Sequence, residues 1–364
     1  MNIKSLLIGS AAALAAVSGA QAADAIVAAE PEPLEYVRVC DAFGTGFFYI
    51  PGTETCLKFS GYIRFQTNFN RNRSGTSDWD SFTRAQFNVD TRTDTELGAL
   101  RGFIGLRGDA DTGSAAAVAG TANSGSTVFV DQAFIELAGL RVGTAITWWD
   151  DDLTGETDVL ASNTVRLNTI RYTYDAGSFY AGVAVEELET ARSGTSNIGV
   201  VKGGSFEGAN NVGVAGIIGG KFDAVSANVI GSYDTDQENG AIRGILYADI
   251  GPGTLGLSAV WASGANSYYE ESEWTVAAQY AIKATDKLTI TPGAQYFGKV
   301  DIATDGDFTG DRDAWRAGAT VDYKITSGLA AKVALNYQDV DGTEGVDSGA
   351  GDQWLGFVRL QRAF

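Results

Sequence analysis

The sequence predicts an all-β protein: a sixteen-stranded antiparallel transmembrane β-barrel with an inward-folded third loop. Three observations predict it. From Lys58 to the C-terminus apolar and polar residues alternate with period two, the pattern of strands with one apolar and one polar face. The connections between these runs alternate in kind, tight Gly- and Asp-bearing turns with longer polar loops. Past residue 22 there is no run of 18 apolar residues, which excludes a helical membrane protein; a barrel hides its apolar half by alternation and escapes that test.

Taken in order, residues 1–22 read as a signal peptide. Lys4 gives a positive start, Leu6 to Val17 an apolar stretch, and Ala20-Gln21-Ala22 a small-residue cleavage site. Cleavage leaves a mature chain beginning at Ala23. Residues 23–57 form an N-terminal segment holding both cysteines, Cys40 and Cys56. In a chain addressed to an oxidising compartment they are expected to pair, the alternative being two free thiols. Closing a loop of that length contributes about 3 kcal/mol in the chain-entropy model. Residues 58–364 are expected to form the barrel, and five prolines among 46 glycines with no Pro/Ser-rich linker favour one continuous architecture.

The first strand sets Phe59, Ile63 and Phe65 against Lys58, Ser60, Arg64, Gln66 and Asn68; the second sets Ala85, Phe87 and Val89 against Arg84, Gln86, Asn88, Asp90 and Arg92. Later runs repeat this, as in Trp315, Ala317, Ala319, Val321 and Tyr323 against Arg316, Thr320, Asp322 and Lys324. Each has about the 9–11 residues a tilted strand needs to cross hydrocarbon. Turns are expected at 94–98, Gly139, Asp175-Ala176-Gly177, Gly219-Gly220, Gly251-Pro252-Gly253, Thr285-Asp286 and Thr326-Ser327-Gly328. Loops are expected at 70–81, 109–126, 148–165, 189–210, 234–240, 264–272, 298–312 and 339–352. Seven turns and eight loops join sixteen strands, with both termini on the side of the short turns.

A soluble β-sandwich also alternates, so the placement of aromatics and charges decides. On the apolar face Tyr233, Trp261, Trp274, Trp315, Tyr337 and Trp354 fall at loop ends, and Phe59, Tyr174, Tyr280, Tyr323 and Phe364 at turn ends. Two belts separated by aliphatic residues suit a membrane surface. The polar face carries a basic wall of Arg64, Arg84, Arg92, Arg101, Arg107 and Arg141, continued by Arg171, Arg243, Lys283, Arg316, Lys324, Lys332 and Arg359. Sixteen strands so lined imply an aqueous lumen rather than a packed core.

The chemistry available is narrow. With no histidine, Ser-His and Cys-His catalysis and His-bearing zinc sites are excluded. A net charge of −19 argues against a nucleic-acid partner. Asp234, Asp236, Glu238 and Gly240 loosely resemble a calcium loop, but the glycine falls one place late and no closing Glu follows, so an exposed acidic loop is the better reading and no metal or cofactor is expected. The informative stretch is the loop after the fifth strand. Its Asp150, Asp151, Asp152, Glu156 and Asp158 either form a solvated surface or fold inward opposite the arginine wall, where opposed charges order water and favour small polar solutes. Trp148 and Trp149 beside them need burial, which leans toward the inward arrangement.

Several stretches are familiar: Tyr36-Val37-Arg38-Val39-Cys40-Asp41, Tyr49-Ile50-Pro51-Gly52-Thr53-Glu54-Thr55-Cys56-Leu57 followed by Gly61-Tyr62, Gly139-Leu140-Arg141-Val142-Gly143, and the terminal Val358-Arg359-Leu360-Gln361-Arg362-Ala363-Phe364. They resemble the alphaproteobacterial general porins of rhizobia and brucellae, closely over residues 1–62, in patches through the middle and again at the end. The resemblance implies a homotrimeric outer-membrane porin passing small hydrophilic solutes and ions. Its third loop constricts the pore, and its Phe364 is read by the barrel-assembly machinery. Outer-membrane lipids and lipopolysaccharide are then its surroundings. The third loop departs from the family pattern at Trp148-Trp149 and the Asp triplet, so radius and selectivity do not carry over. The competing expectation is a substrate-specific channel for sugars or dicarboxylates, which needs an aromatic slide or a binding ladder along the lumen; few aromatics are assigned to the polar face.

Overall fold

The computed structural model describes residues 38–71, 79–110, 128–162, 166–188, 195–201, 211–344 and 346–364. The expected signal peptide and the start of the N-terminal segment lie outside these residues, as does most of the loops expected at 70–81, 109–126 and 189–210.

Sixteen long strands make the wall. They are β1 (Cys56–Arg71), β2 (Trp79–Thr95), β3 (Gly98–Ala110), β4 (Phe129–Leu137), β5 (Leu140–Ile146), β6 (Arg166–Asp175), β7 (Phe179–Leu188) and β8 (Asn211–Phe222). The second half comprises β9 (Val225–Asp234), β10 (Asn239–Ile250), β11 (Gly253–Ala262), β12 (Trp274–Lys283), β13 (Leu288–Gly298), β14 (Ala314–Thr326), β15 (Leu329–Val340) and β16 (Gly351–Ala363). Each pairs antiparallel with the next, and β16 pairs with β1, so the sheet closes on itself. Closure matters physically because a barrel has no edge with unpaired amides, the only sheet a bilayer tolerates. Among the described residues there is no α-helix, only two 3-10 turns at Asp41–Phe43 and Trp148–Asp150.

The seam is drawn at the last residue, where Gly61 and Phe364 exchange both backbone hydrogen bonds at 3.0 Å. Gly61 is required there, since a Cβ would sit 2.0 Å from the Gln86 carbonyl oxygen. Cys40 and Cys56 are joined in a disulfide, as expected. The residues between them pack Phe47 beneath Lys58 and Arg92, with Arg92 5.0 Å from the ring centre.

Parity follows the sequence closely. Ile63, Phe65, Ile104, Val183, Val276 and Val358 are exposed on the outer face, while Gln66, Thr169, Gln279, Thr320 and Asn336 are buried on the inner one. The outer belt is continuous over β12–β16, where Trp274–Tyr296, Trp315–Tyr337 and Tyr337–Trp354 are in ring contact at 5.5, 5.3 and 5.1 Å; Trp261 pairs with Trp274 across β11 and β12. Two boundaries are corrected. The first strand begins at Cys56, not Lys58, because Cys56 and Leu57 already pair with Arg92 and Thr91. Gly219-Gly220 is not a turn: both lie inside β8, paired with Tyr180 and Phe179, and the chain reverses at Asp223–Ala224. Inward Gly219 is small because the Tyr180 ring occupies its side-chain space.

Candidate functional site

Each of the six arginines expected to line the polar face is held by a neighbour. Arg84 makes two hydrogen bonds to Asp109 at 2.6 and 2.7 Å. Arg92 and Arg101 converge on Asp90, Arg141 pairs with Glu136, and Arg107 meets Asp131 at 3.5 Å, a carboxylate shared with Arg166. Arg64 donates through Nε to the neutral Gln361 at 2.8 Å. Five of these six arginines also lie on aromatic faces: Arg64 on Tyr62, Arg84 on Phe82, Arg92 on Phe47, Arg101 on Phe103 and Arg141 on Phe134. Arg359 does the same on Phe357 at 4.2 Å. Tyr62, Phe82, Phe103, Phe134 and Phe357 therefore share the inner face, which corrects the expectation of few inward aromatics.

The segment 147–162 after β5 is tied to inner-face side chains of β10 and β12–β16. Gly155 N–H donates to Gln279 at 2.8 Å, Glu156 N–H to Thr320 at 2.9 Å and Val159 N–H to Gln295 at 2.6 Å. Asn336 donates to the Glu156 carbonyl at 2.9 Å and Tyr247 to that of Asp152 at 3.0 Å. Neutral amides and hydroxyls of polar parity thus satisfy a backbone with no ladder of its own. The Glu156 carboxylate meets Lys332 at 2.8 Å and Arg359 at 3.4 Å.

Arg243 of β10 was legible as an inward residue but not as the centre of this site. It is fully buried and donates to the carbonyls of Trp149, Trp148 and Leu160 at 2.7, 2.9 and 3.4 Å, with its guanidinium 5.0 Å from the Trp149 ring centre. Both tryptophans find cover: Trp149 is 1% exposed, and Trp148 packs on Gly182, whose Cβ would lie 2.8 Å from the indole.

The carboxylates of the segment do not act as one group. Desolvation inside the barrel pushes Asp150 up, opposed by Arg166. Desolvation pushes Asp152 up further, with Asp158 adding to it. Asp158 is raised to about 6 by desolvation, against hydrogen bonds from backbone N–H groups, first that of Leu153. The arginines facing Asp150, Asp152 and Asp158 are Arg243 and Arg166 rather than Arg64, Arg84, Arg101 and Arg107, while Glu156 pairs with Lys332 and Arg359.

Two more connections pack against the same interior. Residues 264–272 are buried throughout, with Tyr268 over Gly213. Ile198 and Val200 pack with Phe297, Val300, Ala314 and Val340, and Glu271 accepts from Asn197 and the Ile198 amide. Asp234 is spent on structure, accepting from the amides of Asp236, Gln237 and Ser267. Among the described residues no cluster of three metal-ligating side chains occurs.

The Porin subfamily model matches residues 24–354. Outer membrane protein IIIA of Rhizobium leguminosarum bv. viciae is 50% identical, over 96% of this chain and 93% of its own length. Porin Omp2b of Brucella neotomae is 34% identical, over 100% of both chains. Among solved structures, OmpT, an outer membrane protein of Vibrio cholerae, superposes with a TM-score of 0.59 at 14% identity, over 86% of this chain and 99% of that one. A triple mutant of Rhodopseudomonas blastica porin gives 0.54 at 16%, over 85% and 100%. At such identities these two structures speak to the fold alone. A family model spanning residues 24–354 and full-length porin relatives place the chain in the Porin subfamily, as a channel-forming protein of the bacterial outer membrane.

Proposed function

We propose that the barrel is a passive, water-filled channel for small hydrophilic molecules and ions, with no catalytic step, narrowed by the segment 147–162 lying inside it. One contrast carries this reading. The inward arginines of β6, β10 and β14 are sealed, with Arg171, Arg243 and Arg316 at 8, 0 and 6% exposure. Those of β1–β5 keep solvent access, Arg64, Arg84, Arg92, Arg101, Arg107 and Arg141 all being half-buried. The connections thus cover one side of the interior, and the passage runs along the wall of β16 and β1–β5, with Glu156 facing it. Charges of both signs across a narrow aqueous gap favour hydrated solutes over apolar ones.

The porin resemblance, together with a structural neighbour solved in a trimer form, supports a homotrimer embedded among outer-membrane lipids and lipopolysaccharide. The exposed Phe364 at the seam suits recognition by the barrel-assembly machinery. Planar-bilayer recording on the purified protein tests the function: ohmic conductance in steps of three is expected, and a protein that folds but never conducts overturns the reading.

A further inference from the structure

We infer that the wall formed by β16, β1 and β2 holds a binding station for carboxylates that carry a flat apolar body, aromatic carboxylates above all, centred on Arg64. This rests on the pore reading and names a solute class for one stretch of its wall.

Charge is the first argument. Register places Arg64 opposite Arg84, and Gln361 and Gln66 bring Arg359 alongside; Arg359 and Arg84 are both repulsive neighbours of Arg64. Their counter-charges are unevenly shared. Among the described residues Arg84 is the one cation paired with Asp109, while Arg359 shares Glu156 with Lys332. Arg64 hydrogen-bonds the neutral Gln361, and although Glu156 attracts it from a distance, among the described residues no carboxylate forms an ion pair with it. A guanidinium kept among like charges without its own anion is a place where a diffusing anion gains most.

Shape is the second. Arg64, Arg84 and Arg359 lie on Tyr62, Phe82 and Phe357 at 4.9, 5.1 and 4.2 Å, and all three rings are half-buried, so each keeps a face or edge toward the interior. A stacked guanidinium keeps its N–H donors in its own plane, pointing past the ring, and is weakly hydrated on the covered side. Donors for a carboxylate and apolar surface for a planar body are thus offered side by side. A small aliphatic acid engages only the charge, and a neutral sugar neither.

The test is block of ionic current through the purified full-length mature protein in planar bilayers, with benzoate and acetate as probes at matched ionic strength. Benzoate is expected to halve the conductance at about tenfold lower concentration than acetate, a factor within reach of desolvated ring and guanidinium contacts. Arg64→Gln should abolish the benzoate effect. Arg64→Lys, which keeps the charge without the flat stack, should bring benzoate down to acetate while leaving acetate unchanged, as should Phe357→Leu. An open wild-type channel blocked equally by both acids overturns the station and leaves the pore standing, as does an Arg64→Gln channel that retains the benzoate preference. Absence of any conductance removes the pore reading instead.

Discussion

Arg243 shows what a single inward charge does once a loop closes over it. Its fork holds three main-chain carbonyls, and no other side chain replaces it geometrically: Lys presents a point charge where three acceptors are spread around a plane. Arg243→Met should leave carbonyls without a donor, at about 1–3 kcal/mol for each that stays buried. We expect the segment 147–162 to loosen, with higher single-channel conductance and a barrel that still resists heat; unchanged conductance would assign the anchoring to Gln279, Gln295 and Asn336 instead. The role was hidden in the sequence because the carbonyl partners lie 83 to 95 positions earlier and carry no side-chain mark. A second expectation concerns pH. Asp150, Asp152 and Asp158 are all raised, so they are neutral at pH values where an exposed Asp is charged. As pH climbs through about 6, where Asp158 loses its proton, the segment becomes more negative. The reversal potential under a potassium chloride gradient should therefore move toward potassium between about pH 5 and pH 7, one unit either side of that midpoint; a flat profile would contradict the buried carboxylates.

At the level of strands, parity was the most legible property and depth of burial the least. Alternation fixes which face a residue takes but not what covers that face. Val321 and Thr320 illustrate both halves. Val321 faces outward on β14, and Val321→Arg should cost about 2–4 kcal/mol and impair insertion, as a charge facing hydrocarbon does. Thr320 faces inward, but it is fully buried and accepts from the Glu156 amide, so it is no tolerant control. Ser60→Arg, inward and half-buried on β1, should insert normally; equal insertion yields for Val321→Arg and Ser60→Arg, measured by folded protein in the outer membrane, would reverse the faces. The seven turns were readable except where glycine meant room rather than reversal, at Gly219-Gly220. The buried stretch 264–272 was readable only as a polar loop, because Tyr268 and Tyr269 are hidden by contacts with distant strands rather than by any local pattern.

The whole barrel was legible because its rule is repetitive: fifteen of the pairings in the ring join neighbours in sequence, and only the union of β16 with β1 spans the chain. Deleting Phe364 removes both hydrogen bonds it shares with Gly61, and the truncated chain should lack the heat-modifiable band of a folded barrel on gels; such a band at wild-type intensity would show the last residue to be dispensable. The seam also has a meaning in time. Pairings between neighbours in sequence can form hairpin by hairpin, but β1 must find a strand from the far end of the barrel. Until β16 joins β1, the sheet has two raw edges, each a template for another chain. Closure is therefore a single event, with every other pairing provisional until those two strands meet.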